Sequence, residues 1–118
     1  MVVIRDEKGN SALHVAVFEQ DKHLVESLAP ISGLVTWQNN LGNTPLHEAL
    51  LLQIDQNKML EIVQALLPHS ANILNLENKP GGDTPMTLAA NKQKILKHLM
   101  VYGARLQRRE AQKRWHLF

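Results

Sequence analysis

The chain has 118 residues, of which 44% are apolar and 20% charged, and it contains no cysteine. This length allows one domain with a modest core, and the lack of cysteine excludes a disulfide framework and any cysteine-ligated zinc site. The net charge of +2 is unevenly placed, because residues 105–118 carry five basic residues and one acidic residue, while the rest of the chain carries a net charge of −2. The body of the chain therefore lacks the basic surface of a nucleic-acid-binding domain.

No apolar stretch is long enough to cross a membrane. The longest, around Ala49 to Leu52, is far below the roughly 20 residues that a membrane helix needs, and the N-terminus lacks a signal-peptide pattern. We therefore expect no membrane insertion and an intracellular location, in the cytoplasm or nucleus. No cofactor is expected, since there is no phosphate-binding loop and no spaced set of metal ligands.

The first 31 residues introduce a pattern that later segments repeat. The phrase GNSALHVAV begins at Gly9, and a second apolar segment, LVESL, follows at residues 24–28. This order predicts a turn marked by glycine and then two short helices. Residues 2–4 align with residues 35–37, the extended end of this unit, so they look like the end of an earlier unit and suggest a piece of a longer array.

The same phrase recurs twice further along the chain. GNTPLHEAL begins at Gly42 and GDTPMTLAA at Gly82, after 33 and then 40 residues. Each is again followed by an apolar segment, IVQALL at 62–67 and ILKHLM at 95–100. Repetition at such a period predicts a stack of helix–turn–helix units.

Each phrase has the residue types of a turn followed by a helix start. Thr44 is suited to the N-cap, where its hydroxyl oxygen accepts a hydrogen bond from an otherwise unpaired N–H, and Pro45 fits the first helical turn. Gly42 permits turn geometry that a Cβ atom would oppose. The residues predicted to face the core are Leu13, Ala16, Leu46, Ala49, Met86 and Ala89.

The segment Thr44-Pro45-Leu46-His47 matches the T-P-L-H signature of the ankyrin repeat family, and residues 11–14 and 84–87 are degraded copies of it. The chain therefore resembles an ankyrin repeat array over nearly all of residues 5–104. The resemblance implies an all-α solenoid of three helix–turn–helix units joined by β-hairpin-like turns. The expected units are about residues 5–37, 38–77 and 78–104, followed by a basic extension at 105–118. It also implies that His14 and His47 bond loop backbone.

His47 and Glu48 also form the first half of the H-E-x-x-H motif of zinc hydrolases. The second histidine of that motif is replaced by Leu51, so one of its two ring ligands is missing. The repeats favour a structural role for His47, and Glu48 falls at a variable position that is expected to face outward. We therefore predict no catalytic, metal-binding or cofactor-binding residue and no enzymatic activity.

Units two and three differ from unit one in length. Alignment of the copies places about five extra residues within 50–59 and about two within 78–83, while unit three lacks about two at 91–94. Extra length in a loop costs little closure entropy. A longer helix end and a longer turn are expected, with a dedicated binding loop as the alternative.

The extension at 105–118 contains no fourth copy of the phrase. Ala111, Trp115 and Phe118 recur at i, i+4 and i+7, which predicts a C-terminal capping helix over unit three. A basic contact with a partner or an acidic surface is the alternative.

Stacked units present a concave surface of turn tips and first helices. The resemblance implies a non-enzymatic protein-interaction module, an adaptor or inhibitor, that is monomeric by itself. The residues expected to bind the protein partner are Glu7, Lys8, Asn10, Phe18, Glu19, Trp37, Asn40, Leu41, Asn43, Leu52, Gln53, Asp83, Asn91 and Lys92. Trp37, Leu41 and Leu52 are expected to form the apolar centre, with packing between neighbouring turns as the alternative for Trp37.

Two other functions remain open from the sequence. The chain could be a targeting or substrate-recruiting segment of a larger enzyme or effector protein. It could also bind nucleic acid or an anionic surface through its basic tail, which the charge of the body makes the less favoured interpretation.

Overall fold

The computed structural model describes residues 5–31, 33–70, 74–79 and 82–102. Over these ranges the chain is helical and contains no strand. The helices are α1 (Ala12–Phe18), α2 (Lys22–Leu28), α3 (Pro45–Leu51), α4 (Gln56–Ser70), α5 (Pro85–Leu88) and α6 (residues 93–102), with a 3₁₀ turn at Leu34–Thr36. They follow one another as three pairs, which confirms the predicted solenoid of helix–turn–helix units.

The first helix of each pair begins with a capping box. In α3, the N–H of His47 donates to Thr44 Oγ1 at 3.3 Å, and the N–H of Thr44 donates to His47 Nδ1 at 3.2 Å. This exchange pairs two of the backbone donors that a helix start leaves without a partner. The same reciprocal pair joins Ser11 to His14 in α1 and Thr84 to Thr87 in α5.

The core lies between the first and second helices of the units. Helix α1 packs against α2 and α3, and α3 packs in turn against α4 and α5. Ala16 and Ala49 are fully buried where the first helices meet, and their small side chains let these helices approach closely. The predicted core residues are confirmed, with Met86 only half-buried.

A hairpin-like turn precedes each first helix, as predicted. We call them turn one (residues 6–10), turn two (39–43) and turn three (78–79 and 82–83). In turn two, the N–H of Asn39 donates to the carbonyl oxygen of Asn43 at 3.0 Å, and the N–H of Gly42 donates to Asn39 O at 2.8 Å. Gly42 has φ +80°, and a Cβ atom there would overlap the carbonyl oxygen of Asn78 in turn three.

The extra residues of unit two lengthen a helix. Helix α4 has 15 residues and α2 has seven, whereas the linker before α4 (residues 52–55) is only slightly longer than the linker before α2 (residues 19–21). The expected longer helix end is therefore confirmed, and no dedicated binding loop is formed between α3 and α4. The predicted capping helix at 105–118 lies outside the described residues.

Candidate protein-binding surface

A groove runs between the tips of turns one and two and the first helices α1 and α3. Its volume is about 880 Å³, and we call it the first groove. Its lining residues are Asp6, Glu7, Lys8, Asn10, Phe18, Asn39, Asn40, Leu41 and Glu48. Turn tips and first helices therefore form one concave surface, as the repeat pattern predicted.

Leu41 occupies the most prominent position on this surface. Its side chain is 71% exposed, in agreement with its predicted place at the tip of turn two. It lines the first groove and also a second, more open groove between turns two and three. The side chain of Leu41 therefore lies between the two grooves and lines both.

Asn39 is the residue that joins turn one, turn two and α3. Its Nδ2 group donates to Asn10 Oδ1 at 2.9 Å and to Glu48 Oε2 at 2.7 Å. Its Oδ1 atom accepts the backbone N–H groups of Leu41 and Asn43, each at 3.0 Å. Because all four bonds are made by one small side chain, the wall of the first groove is held in a single arrangement.

Neighbouring turns are also bonded to each other directly. The backbone N–H of Asn40 donates to Lys8 O at 2.9 Å, and its Nδ2 group donates to Glu7 O at 3.1 Å. On the other side of turn two, Asn78 Nδ2 donates to Asn43 Oδ1 at 3.0 Å. The tips therefore stand side by side with their spacing fixed.

The two histidines bond loop backbone, as the resemblance implied. Nδ1 of each ring accepts the N–H of its N-cap residue, so Nε2 carries the proton. His14 Nε2 donates to Asn43 O at 2.8 Å, and His47 Nε2 donates to Leu76 O at 2.9 Å and to Asp83 O at 3.1 Å. Burial lowers the pKa of both rings, which keeps them neutral. Each histidine thus attaches its own helix to the following turn.

Trp37 packs against the arm of the preceding turn. The guanidinium of Arg5 lies 3.9 Å from the centroid of the Trp37 ring, a cation–π contact. The indole ring is half-buried and lines neither groove. The contact with Arg5 agrees with packing between neighbouring turns, the alternative that the sequence left open for this residue.

Three expectations about exposure are wrong. Asn10 and Asn43 were expected at exposed turn tips and Glu48 was expected to face outward, but their side chains are only 5%, 3% and 8% exposed. The cause is hydrogen bonding from the turns: Asn39 of turn two donates to Asn10 Oδ1 and to Glu48 Oε2 on α3, and Asn78 of turn three donates to Asn43 Oδ1. The two asparagines hold the turns together.

The apolar position at the end of α3 also differs from the prediction. Leu52 is half-buried against the core, and Leu51 is the exposed neighbour at 47%. The reason is that α3 ends at Leu51, so Leu52 has extended backbone angles (φ −62°, ψ 139°) and its side chain turns inward. The remaining predicted residues line neither of these grooves; they are Glu19, Gln53, Asp83, Asn91 and Lys92.

Sequence reasoning missed Asn39 and Glu48 as residues of the surface. A signal for Asn39 was present, because an asparagine at the start of a short turn that contains glycine commonly accepts the backbone N–H groups of that turn. Glu48 was visible as a charge inside the apolar run of α3, but nothing local showed that it points toward Asn39.

Neither a metal site nor a membrane span is found in the described part of the chain. No group of three or more His, Cys, Asp or Glu side chains there could hold a metal ion. None of the described helices combines the length and apolar character needed to span a membrane.

Repeated capping boxes, stacked helix pairs and bonded turns define a helical repeat protein. Residues 2–73, more than half of the chain, match the family model described as "Ankyrin repeats (3 copies)". The chain belongs to the ankyrin repeat family, whose repeats are generally protein-interaction modules without catalytic activity.

Two curated proteins are similar to this chain. The nuclear factor NF-kappa-B p105 subunit of Gallus gallus is 26% identical over 106 residues, which are 85% of this chain and 10% of that protein. A putative ankyrin repeat protein of fowlpox virus (strain NVSL) is 33% identical over 102 residues, which are 83% of this chain and 29% of that protein. The chain thus spans less than a third of the length of either relative.

A solved structure is also similar. The crystal structure of an ankyrin repeat protein aligns with 87% of this chain and 69% of its own, with 22% sequence identity and a TM-score of 0.44. The family assignment rests on the family model.

Proposed function

We propose that this chain is a non-enzymatic protein–protein interaction module, an adaptor or inhibitor, that binds a protein partner through its turn tips and concave first-helix face. The observation that carries the proposal is the pair of exposed apolar side chains at the first groove. Phe18 is 40% exposed and Leu41 71% exposed, and both line this groove. Their exposure gives the isolated fold nothing, whereas a partner that covers them gains apolar burial.

The turns that carry Leu41 support the proposal. Asn39 and Asn40 bond turn two to turn one and to α3, so the groove is already formed before a partner arrives. A preformed site loses little conformational entropy on binding. Binding energy can then concentrate in a few central residues. We take these to be Phe18 and Leu41, in place of the set predicted from the sequence, which was Trp37, Leu41 and Leu52.

The test is a double variant of the groove. A partner captured from the native source and identified by mass spectrometry is titrated calorimetrically against Phe18→Ser/Leu41→Ser. We expect binding to weaken by at least about 2 kcal/mol, the usual hot-spot threshold, with an unchanged melting temperature. Leu24→Ser is the matched control, because Leu24 is an exposed leucine (38%) on α2. Full affinity in the double variant, with loss of binding on charge reversal of Glu61 in α4, would place the partner on the opposite face.

A targeting or substrate-recruiting role within a larger enzyme or effector protein is the second candidate. It is supported by the lengths of the curated relatives, of which this chain spans 10% and 29%. The mass of the complete natural protein tests it. A natural chain no longer than 118 residues would contradict this second role and leave the first one standing.

A further inference from the structure

Glu48 is a buried carboxylate in the wall of the first groove, and no cation of the described residues forms an ion pair with it. Its side chain is 8% exposed, and the hydrogen bond found for it is the one from Asn39 Nδ2 to Oε2, at 2.7 Å. In the described part of the chain the ion pair observed is between Lys22 and Glu26, on α2. A buried charge is costly unless it is paired and fully hydrogen-bonded, so a cation brought by a partner would improve the surroundings of Glu48.

The position of Glu48 at a helix start does not explain why a carboxylate is present at this buried site. The first turn of a helix favours a carboxylate, and Glu48 lies in the first turn of α3. The corresponding residues of α1 and α5 are Val15 and Leu88, in helices that start with the same capping box. The repeat therefore accommodates an apolar residue at this position and does not require a carboxylate there.

The surroundings of Glu48 favour one type of ligand. Asp6 and Glu7 also line the first groove and Lys8 is the one cation among its lining residues, so the lining carries a net charge of −2. Phe18 and Leu41 provide apolar walls at the same groove. A cationic head with an apolar stem fits both features.

Arginine matches this combination better than lysine does. Its guanidinium is weakly hydrated and tolerates burial against a carboxylate, and it stacks on aromatic faces such as that of Phe18. It can donate to both oxygens of one carboxylate. Asn39 holds Glu48 from the side of the turns, so the acceptor is fixed before binding.

We propose that Glu48 determines the specificity of the first groove and that the partner protein inserts there an arginine flanked by apolar side chains. The inference rests on the proposed function and adds the chemistry of the residue that is recognised. Glu48 forms the charged contact, while Phe18 and Leu41 cover the arginine stem and its apolar neighbours.

The test uses the full chain, labelled with ¹⁵N, and the peptide acetyl-Ala-Leu-Arg-Leu-Ala-amide. We expect this peptide to shift the side-chain amide resonances of Asn39, and the matched peptide with neutral citrulline to bind at least fivefold more weakly. Glu48→Gln should abolish that difference, since glutamine keeps an oxygen for Asn39 Nδ2 but has no charge. Glu61→Gln, an exposed glutamate of α4, is the control and should leave the difference intact.

A stability measurement separates this role from a structural one. If Glu48 serves recognition, Glu48→Gln melts at the same temperature as the native chain or higher. A lower melting temperature, equal affinity for the arginine and citrulline peptides, or no shift of the Asn39 amide at millimolar peptide would overturn the proposal. So would an Asn39 shift that depends on protein concentration alone, because the occupant would then be a second copy of the chain.

The two proposals fail in different ways. If Phe18→Ser/Leu41→Ser weakens the captured partner but Glu48→Gln does not, only the arginine inference is wrong. If the double variant binds the partner with full affinity, the proposed surface itself is wrong, whatever the peptides show.

Discussion

Units one and two start their first helices as unit three does, but they differ from it in what the capping side chain does next. His14 and His47 are fully buried, and each donates from its second ring nitrogen to a backbone carbonyl of the following turn, that of Asn43 for His14 and that of Asp83 for His47. Thr87 is exposed, and its hydroxyl returns to the carbonyl of Thr84 at 2.9 Å. The residue at this position thus caps a helix in every unit. It also couples neighbouring units where it is a histidine, because the ring has a second nitrogen, Nε2, that reaches the next turn.

Of the substitutions that test this difference between units, His47→Ala is expected to lower the free energy of unfolding most. This change removes the cap partner of Thr44 and leaves the carbonyls of Leu76 and Asp83 without their donor. We expect the free energy of unfolding, measured by urea denaturation, to fall by about 3 kcal/mol. His23→Ala, which alters an exposed histidine of α2, should change it by less than about 0.5 kcal/mol. Equal effects of the two changes would show that the link between turns contributes nothing.

A second way to break the coupling acts through the backbone. Gly42→Ala places a Cβ atom on a residue with φ +80° and against the carbonyl of Asn78. Gly33→Ala imposes a similar strain at φ +87°, but nothing lies within 4 Å of the added carbon. We expect losses of about 2 and about 1 kcal/mol respectively, and the difference measures the contact between turns two and three. If Gly33→Ala were the more harmful change, that contact would be unimportant.

Acidification should weaken the same links gradually. The pKa values of His14 and His47 are lowered from 6.5 by burial, so below that pH the unfolded chain binds protons that the folded chain does not. The stabilisation that depends on these two neutral rings is therefore fully present above pH 6.5, and it is lost as the pH falls toward the lowered pKa values of the folded state. Urea denaturation at pH 7.5, 6.5 and 5.5 measures the slope. His47→Asn should reduce this slope, and a flat profile in the native chain would contradict the burial of both rings.

The smallest effect is expected in unit three. Thr87→Ala removes a local capping bond at an exposed site, and it leaves no carbonyl of another turn without a donor. A loss of about 0.5 kcal/mol is expected, measured by the same urea denaturation. A loss as large as that of His47→Ala would mean that Thr87 makes a coupling contact equivalent to that of the histidine.

Local interactions explain why so much of the fold was predictable. Gly42, Thr44 and Pro45 specify a turn, an N-cap and a first helical turn within four residues. The phrase repeats, so the three units and their core residues followed from the chain alone. The assignment of His47 to structure rather than catalysis also came from its place in the series.

The concave surface was predicted as a region but not in its composition. Leu41 is exposed as expected, since a turn tip has no neighbour to cover it. Asn10 and Asn43 are buried because the adjacent turn supplies a partner for each side chain, Asn39 for Asn10 and Asn78 for Asn43, 29 and 35 residues away. The place of Trp37 was equally undecided in sequence, because its ring contacts Arg5, which lies 32 residues earlier in the chain.

The sequence by itself determined the repeat, the helix starts and the core, because each depends on residues within one or two helical turns of one another. Only the tertiary structure decided which polar side chains face the groove and which hold it together. Asn39 and Glu48 show the reason. Their hydrogen bond joins turn two to α3, and Asn39 also donates to Asn10 in turn one. Contacts of this kind between units do not produce a repeating pattern in the sequence. The burial of the Glu48 charge, from which the expected chemistry of the partner follows, exists only once the units are stacked.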